Sequence, residues 1–165
     1  MTDEPGVNYP QPSRRQVLRT VSGLTALGVN SVVTSRSVAA EAGDQLWAFE
    51  TGDKVWSSPT VVDGTVFVGS DYYNLYAVDA KTGTEEWAFN TGGTVGSQTV
   101  ADGTVFVDGG HKFVDNEDNL YAVDAETGEE EWIFETGDRI YSSPTVAGGK
   151  VFVCSFDANL YAHPF

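Results

Sequence analysis

Few residues in this chain are equipped for chemistry, and their spacing limits what each could do. His111 and His163 are the only histidines, and neither has a partner at the short spacing of a zinc site. Asp115-Asn116-Glu117-Asp118-Asn119 crowds oxygen donors of the kind a hard cation takes. It lacks the mid-loop glycine and closing bidentate glutamate of a dedicated calcium loop, so it reads as a solvated acidic loop, with calcium binding as the alternative. Ser57-Ser58-Pro59 and Ser142-Ser143-Pro144 offer hydroxyl nucleophiles, but no histidine or acid accompanies either. A structural role is expected for both. Cys154 is the single cysteine, which rules out an intramolecular disulfide. In the run Val151-Phe152-Val153-Cys154 it reads as a small buried hydrophobe. Glu129-Glu130-Glu131 reads as a charged strand edge that discourages aggregation, and His163 as a surface residue. No catalytic or metal-binding residue is assigned.

The serine motif recurs because it belongs to a longer repeat. Trp47, Trp87 and Trp132 stand 40 and 45 residues apart. The first unit runs Trp47-Ala-Phe-Glu-Thr-Gly52, Ser57-Ser-Pro-Thr-Val61, Asp63-Gly-Thr-Val-Phe-Val68 and Asn74-Leu-Tyr-Ala-Val-Asp79. The second repeats this from Trp87 through Asn119-Leu-Tyr-Ala-Val-Asp124, with an insertion between Gly109 and Asp118. The third runs from Trp132 to Asn159-Leu-Tyr-Ala162. Each unit offers four short strands, and Val-Phe-Val and Leu-Tyr-Ala-Val are apolar enough to lie between packed sheets. Asp63-Gly64, Asp102-Gly103 and Gly148-Gly149 tolerate positive φ and predict two-residue hairpin turns. Asp79-Ala-Lys-Thr82-Gly83 and Asp124-Ala-Glu-Thr127-Gly128 predict the next turn, where the Asp carboxylate accepts backbone N–H bonds and Gly closes the loop.

The motifs Ala77-x-Asp79-x-x-Thr82-Gly83-x-x-x-Trp87 and Ala122-x-Asp124-x-x-Thr127-Gly128-x-x-x-Trp132 resemble the repeat of the pyrroloquinoline-quinone-like (PQQ-like) β-propellers. The resemblance covers about residues 44–165. It implies an all-β fold of propeller blades, each of four antiparallel strands, about three in number. It also implies that Trp47, Trp87 and Trp132 dock onto neighbouring blades, and that the turn residues Asp79, Thr82, Gly83, Asp124, Thr127 and Gly128 are structural. The third unit departs from the pattern: His163-Pro164-Phe165 follow Ala162, without the turn Asp, the Thr-Gly or a final Trp strand. In closed propellers the first strand often completes the last blade, so Trp47–Glu50 is expected to serve the blade of Asn159–Ala162. Propellers have about four to eight blades. Three predict a tight ring, an open arc, or half of a six-bladed ring made by two chains. Self-association, or truncation of a longer relative, is expected over a stable monomer. The family's quinone dehydrogenases are far longer and carry adjacent cysteines over their cofactor. With one cysteine here, no cofactor is expected, PQQ included.

Ahead of the repeats, Ser13-Arg14-Arg15-Gln16-Val17-Leu18-Arg19 introduces an uncharged, weakly apolar stretch ending in Val38-Ala39-Ala40. It resembles a twin-arginine signal, with Val17 in place of Phe and Arg19 in place of Lys. Residues 1–40 are therefore expected to be a signal segment and 41–165 the propeller domain, with no transmembrane anchor once the signal is removed. The stretch is shorter than the ~20 residues of a spanning helix.

The formal net charge is −15. Beyond residue 40, twenty-two acids face five bases. Such a surface excludes tracking of nucleic-acid phosphates and opposes adhesion to anionic lipid. Self-repulsion at this density calls for screening by high salt, and predicts a halophilic, haloarchaeal-type setting. Together these readings predict an exported, non-catalytic propeller acting as a protein-binding or cell-surface scaffold. The alternative is a PQQ-dependent or calcium-dependent oxidoreductase, or a truncated fragment of one.

Overall fold

In the computed structural model, residues 40–110 and 118–165 are described. They form three antiparallel sheets, and no helix occurs among the described residues. The first sheet has the order β1 (Thr60–Val62), β2 (Thr65–Gly69), β3 (Asn74–Asp79), β4 (Glu85–Asn90). In the second, β5 (Thr94–Val95) and β6 (Thr99–Ala101) both pair with β7 (Thr104–Gly110), followed by β8 (Asp118–Asp124) and β9 (Glu130–Glu135). The third holds β10 (Thr145–Ala147), β11 (Lys150–Cys154) and β12 (Leu160–Pro164). Each sheet is a blade, and the fold is all-β and antiparallel, with four strands in the first sheet, five in the second (β5 and β6 sharing β7) and three in the third.

Backbone geometry at the turns follows from residue type. Asp63 and Gly64 have φ of 49° and 89°, and Asp102 and Gly103 have 49° and 85°. Two successive positive φ values match the right-handed strand twist and set the hairpin register. Thr65 then pairs with Val62, and Thr104 with Ala101. The same irregularity recurs in two blades, between Ala77 and Val78 and between Ala122 and Val123.

Side chains alternate across each blade, so one face packs forward and the other backward. Phe67, Leu75 and Ala77 of the first blade meet Val95, Val105 and Val107 of the second. Phe106, Leu120 and Ala122 of the second meet Ile140, Val151 and Val153 of the third. These two layers are the core, and they bury the Val-Phe-Val and Leu-Tyr-Ala strands of the middle blade on both sides.

Three expectations need correction. Among the described residues Trp47–Glu50 joins no sheet, and the blade holding β12 has three strands. The segment is held elsewhere: the Trp47 indole Nε1 donates to Ala80 O at 3.1 Å, and Phe49 meets Tyr76 edge-on at 5.2 Å, both on the first blade. Cys154 is exposed rather than buried, because it closes β11 on a face that no further blade covers. His163 is half-buried rather than a surface residue. It pairs with Val151 in the sheet and its ring lies 3.9 Å from that of Phe134.

Candidate functional site

The turn residues build a fixed platform under two of the tryptophans, Trp47 on Gly83 and Trp87 on Gly128. Asp79 Oδ1 accepts from Lys81 N (3.1 Å), Thr82 N (2.6 Å) and Thr82 Oγ1 (2.6 Å). Asp124 Oδ1 accepts from Glu126 N (3.0 Å), Thr127 N (2.7 Å) and Thr127 Oγ1 (2.9 Å). The Thr82 hydroxyl, and then its amide, hold the Asp79 carboxyl below its ordinary value. For Asp124 the Thr127 amide leads and its hydroxyl follows. Gly83 and Gly128 close the loops at φ 72° and 74°. Trp87 lies directly over Gly128, and a Cβ there would come within 2.7 Å of the indole. Its Nε1 donates to Ala125 O at 3.1 Å, as that of Trp47 does to Ala80. Trp132 packs on Phe106 at 5.9 Å and near His163.

The serines are absorbed by the backbone. Ser57 Oγ donates to Gly69 O (2.9 Å) and accepts from Gly69 N (2.8 Å), and Ser142 Oγ accepts from Cys154 N (2.8 Å). Each ties the segment before a blade's first strand to its second. A buried residue that sequence reasoning missed, Gln98, fastens the first blade to the second. Its Nε2 donates to Ser58 O (2.9 Å) and Phe67 O (2.6 Å), while its Oε1 is buried without a protein partner. The signal for it lay in the repeat: Gln98 stands where the other units carry Pro59 and Pro144.

The segments leading into the first strands of all three blades converge on a cleft of about 640 Å³. Trp56, Gly96, Asp108, Arg139, Tyr141 and Ser142 are among the residues that line it. Trp56 is 75% exposed and Tyr141 71%, large aromatics left in water. Both are held in place. Trp56 Nε1 donates to Asp71 Oδ2 (3.1 Å), and Tyr141 stacks on the exposed Phe156 at 4.5 Å with the rings 3° from parallel. These rings were also missed from the sequence, although Trp56, Gly96 and Tyr141 mark the same, varying position of the repeat. Arg139 is the only arginine beyond residue 36.

Among the described residues no three His, Cys, Asp or Glu side chains gather to hold a metal ion, and no helix is long and apolar enough to cross a membrane. The acidic loop at 115–119 lies outside the described residues except for Asn119 and the backbone of Asp118, as do His111, Arg14, Arg15 and the rest of the leading segment.

The family described as outer membrane protein assembly factor BamB matches residues 30–112 and 107–163. Among solved structures, BamB from Moraxella catarrhalis aligns with a TM-score of 0.58 at 18% identity, covering 72% of this chain and 36% of that one. A europium-containing methanol dehydrogenase aligns with a TM-score of 0.56 at 24% identity, covering 72% of this chain and 24% of that one. The likeness to both is one of fold, and this chain spans well under half the length of either. No curated protein matches the chain.

Proposed function

Because the chain belongs to the β-propeller repeat family described as outer membrane protein assembly factor BamB, we propose that it is an exported, non-catalytic scaffold that binds another protein. The observation that carries this reading is the cleft where three blades converge. It presents Trp56, Arg139 and Tyr141, the last backed by its stack on Phe156. Trp, Tyr and Arg are the residue types that dominate the energy of protein–protein contacts. Rings already held by a hydrogen bond or a stack lose little freedom on binding. The leading Arg14-Arg15 segment supports export by a twin-arginine route to the cell surface or beyond. The acid excess supports operation in high salt.

A quinone cofactor fits this cleft poorly. A quinone bearing several carboxylates calls for several cations, and the cleft is lined by Arg139 together with the Asp108 carboxylate.

The test is retention of a partner in molar salt. The full chain, immobilised, is incubated with an envelope extract, beside a Trp56→Ala/Tyr141→Ala variant with unchanged circular dichroism. A protein retained by the first and lost by the second supports the reading. Equal retention, or none, overturns it. Quinone-dependent dye reduction with calcium present would replace it with the oxidoreductase reading.

A further inference from the structure

The two blade-to-blade layers inside this chain are copies of one contact, and each half of that contact is left uncovered once more. Going forward, the triplets Phe67/Leu75/Ala77 and Phe106/Leu120/Ala122 are all buried, at 2% exposure or less. Their equivalents on the third blade are Phe152, Leu160 and Ala162. Phe152 is half-buried, Ala162 is exposed, and Leu160 is 67% exposed where Leu75 and Leu120 are at 0%. Going backward, Val95/Val105/Val107 and Ile140/Val151/Val153 are buried at 4% or less. Their equivalents on the first blade are Val55, Val66 and Val68. Val55 is 46% exposed, and the other two are half-buried.

The strand ladder repeats this asymmetry. β4 covers the outer edge of β3, and β9 that of β8, while among the described residues β12 has no strand on its outer edge. Trp47–Glu50 carries the sequence of β4 and β9, but forms no strand pairing among the described residues. It is nevertheless seated as the outer strand of a blade preceding the first. Trp47 bonds Ala80 and Phe49 abuts Tyr76, as Trp87 bonds Ala125 and Phe89 abuts Tyr121. The missing strand and the missing cover therefore sit together at one end, and the edge and face they fit sit at the other.

We propose that two copies of this chain join head to tail, each donating Trp47–Glu50 as the fourth strand of its neighbour's third blade, to give a six-bladed ring. The joint is distinct from the aromatic cleft and does not rest on the scaffold reading. Its register follows from the two existing ladders. Asn74 faces Asn90 and Asn119 faces Glu135; Leu75 faces Phe89 and Leu120 faces Phe134. Asn159 of one copy then faces Glu50 of the other, and Leu160 faces Phe49. Leu160 and Ala162 come to lie against Val55, Val66 and Val68 of the second copy. A head-to-tail contact of this kind uses two different surfaces and closes when the rotation permits. Six blades fall within the range of about four to eight that propellers use. Strand addition also removes an exposed sheet edge that would otherwise template aggregation.

Cross-linking between singly substituted chains tests the joint. In a Cys154→Ser background, full chains carrying Glu50→Cys and full chains carrying Asn159→Cys are mixed in molar salt and mildly oxidised. Directly opposed strand residues lie within disulfide reach. The expected result is a covalent species of twice the chain mass in the mixture, at least tenfold above either variant alone. In a companion experiment, Leu160→Asp shifts the native mass to that of one chain with its β circular dichroism retained. No excess of cross-link in the mixture overturns the proposal. So does a chain carrying both cysteines that oxidises only within itself, because that places Glu50 beside Asn159 of the same copy.

Discussion

At Gly128 the backbone turns through φ 74° directly beneath the Trp87 ring, so two demands fall on one residue. A Cβ there adds left-handed strain of roughly 1–2 kcal/mol and an overpacking cost of about 1–3 kcal/mol. Gly128→Ala is expected to lower unfolding free energy by about 2–5 kcal/mol in denaturant titration. The loss should shrink when Trp87 is also replaced by Ala, since only the backbone term remains. A full, additive loss in the double variant would show that the ring does not rest on that glycine. At Gln98 the amide satisfies two carbonyls across the first blade interface. Gln98→Ala should cost about 1–3 kcal/mol, the penalty of leaving buried acceptors unmet, and a neutral result would remove the residue's role as a clasp. The repeat showed where the docking tryptophans and turn glycines stand because the same residue types recur at matching positions in successive units. Gln98 was legible only as a departure from the proline of the other units, since its partners Ser58 and Phe67 lie on another blade and only the third dimension brings them together.

The turns are where the element scale meets solution conditions. Asp79 and Asp124 sit below their ordinary value because threonine hydroxyls and amides bond the ionised form. Asp157 is lowered too, first by the Tyr161 hydroxyl, then by the Asn159 amide. A carboxylate whose folded value is depressed binds its proton later than in the unfolded chain, so falling pH favours unfolding. The stability these turns contribute is complete above the ordinary value of 3.8 and is lost as pH drops through the folded values. Thermal melts from pH 7 to 3 should show this acid limb, and Asp79→Asn with Asp124→Asn should flatten it. An unchanged limb would assign acid sensitivity to general charge instead. Strand positions and two-residue turns were readable because Asp-Gly between Val-rich runs has one favourable conformation. The placement of Trp47–Glu50 was not, because its sequence suits the outer edge of any blade, and packing on Tyr76 and Ala80 decides which one it covers.

For the whole molecule, charge and uncovered faces set the conditions of stability. Twenty-two acids against five bases beyond residue 40 repel one another in dilute buffer. Melting temperature should rise steeply between 0.1 and 2 M KCl, where the screening length falls from about 10 Å to under about 3 Å. A flat response would contradict a halophilic setting. The blade count was legible from the tryptophan spacing, whereas exposure at Leu160 and Val55 emerged only once equivalent residues were compared in three dimensions. Those two faces and the unpaired strand are the centre of the account, and the native mass of the full chain tests them most directly. Light scattering in molar salt should return twice the chain mass in one monodisperse species. A monodisperse single chain with a cooperative unfolding transition would contradict the account.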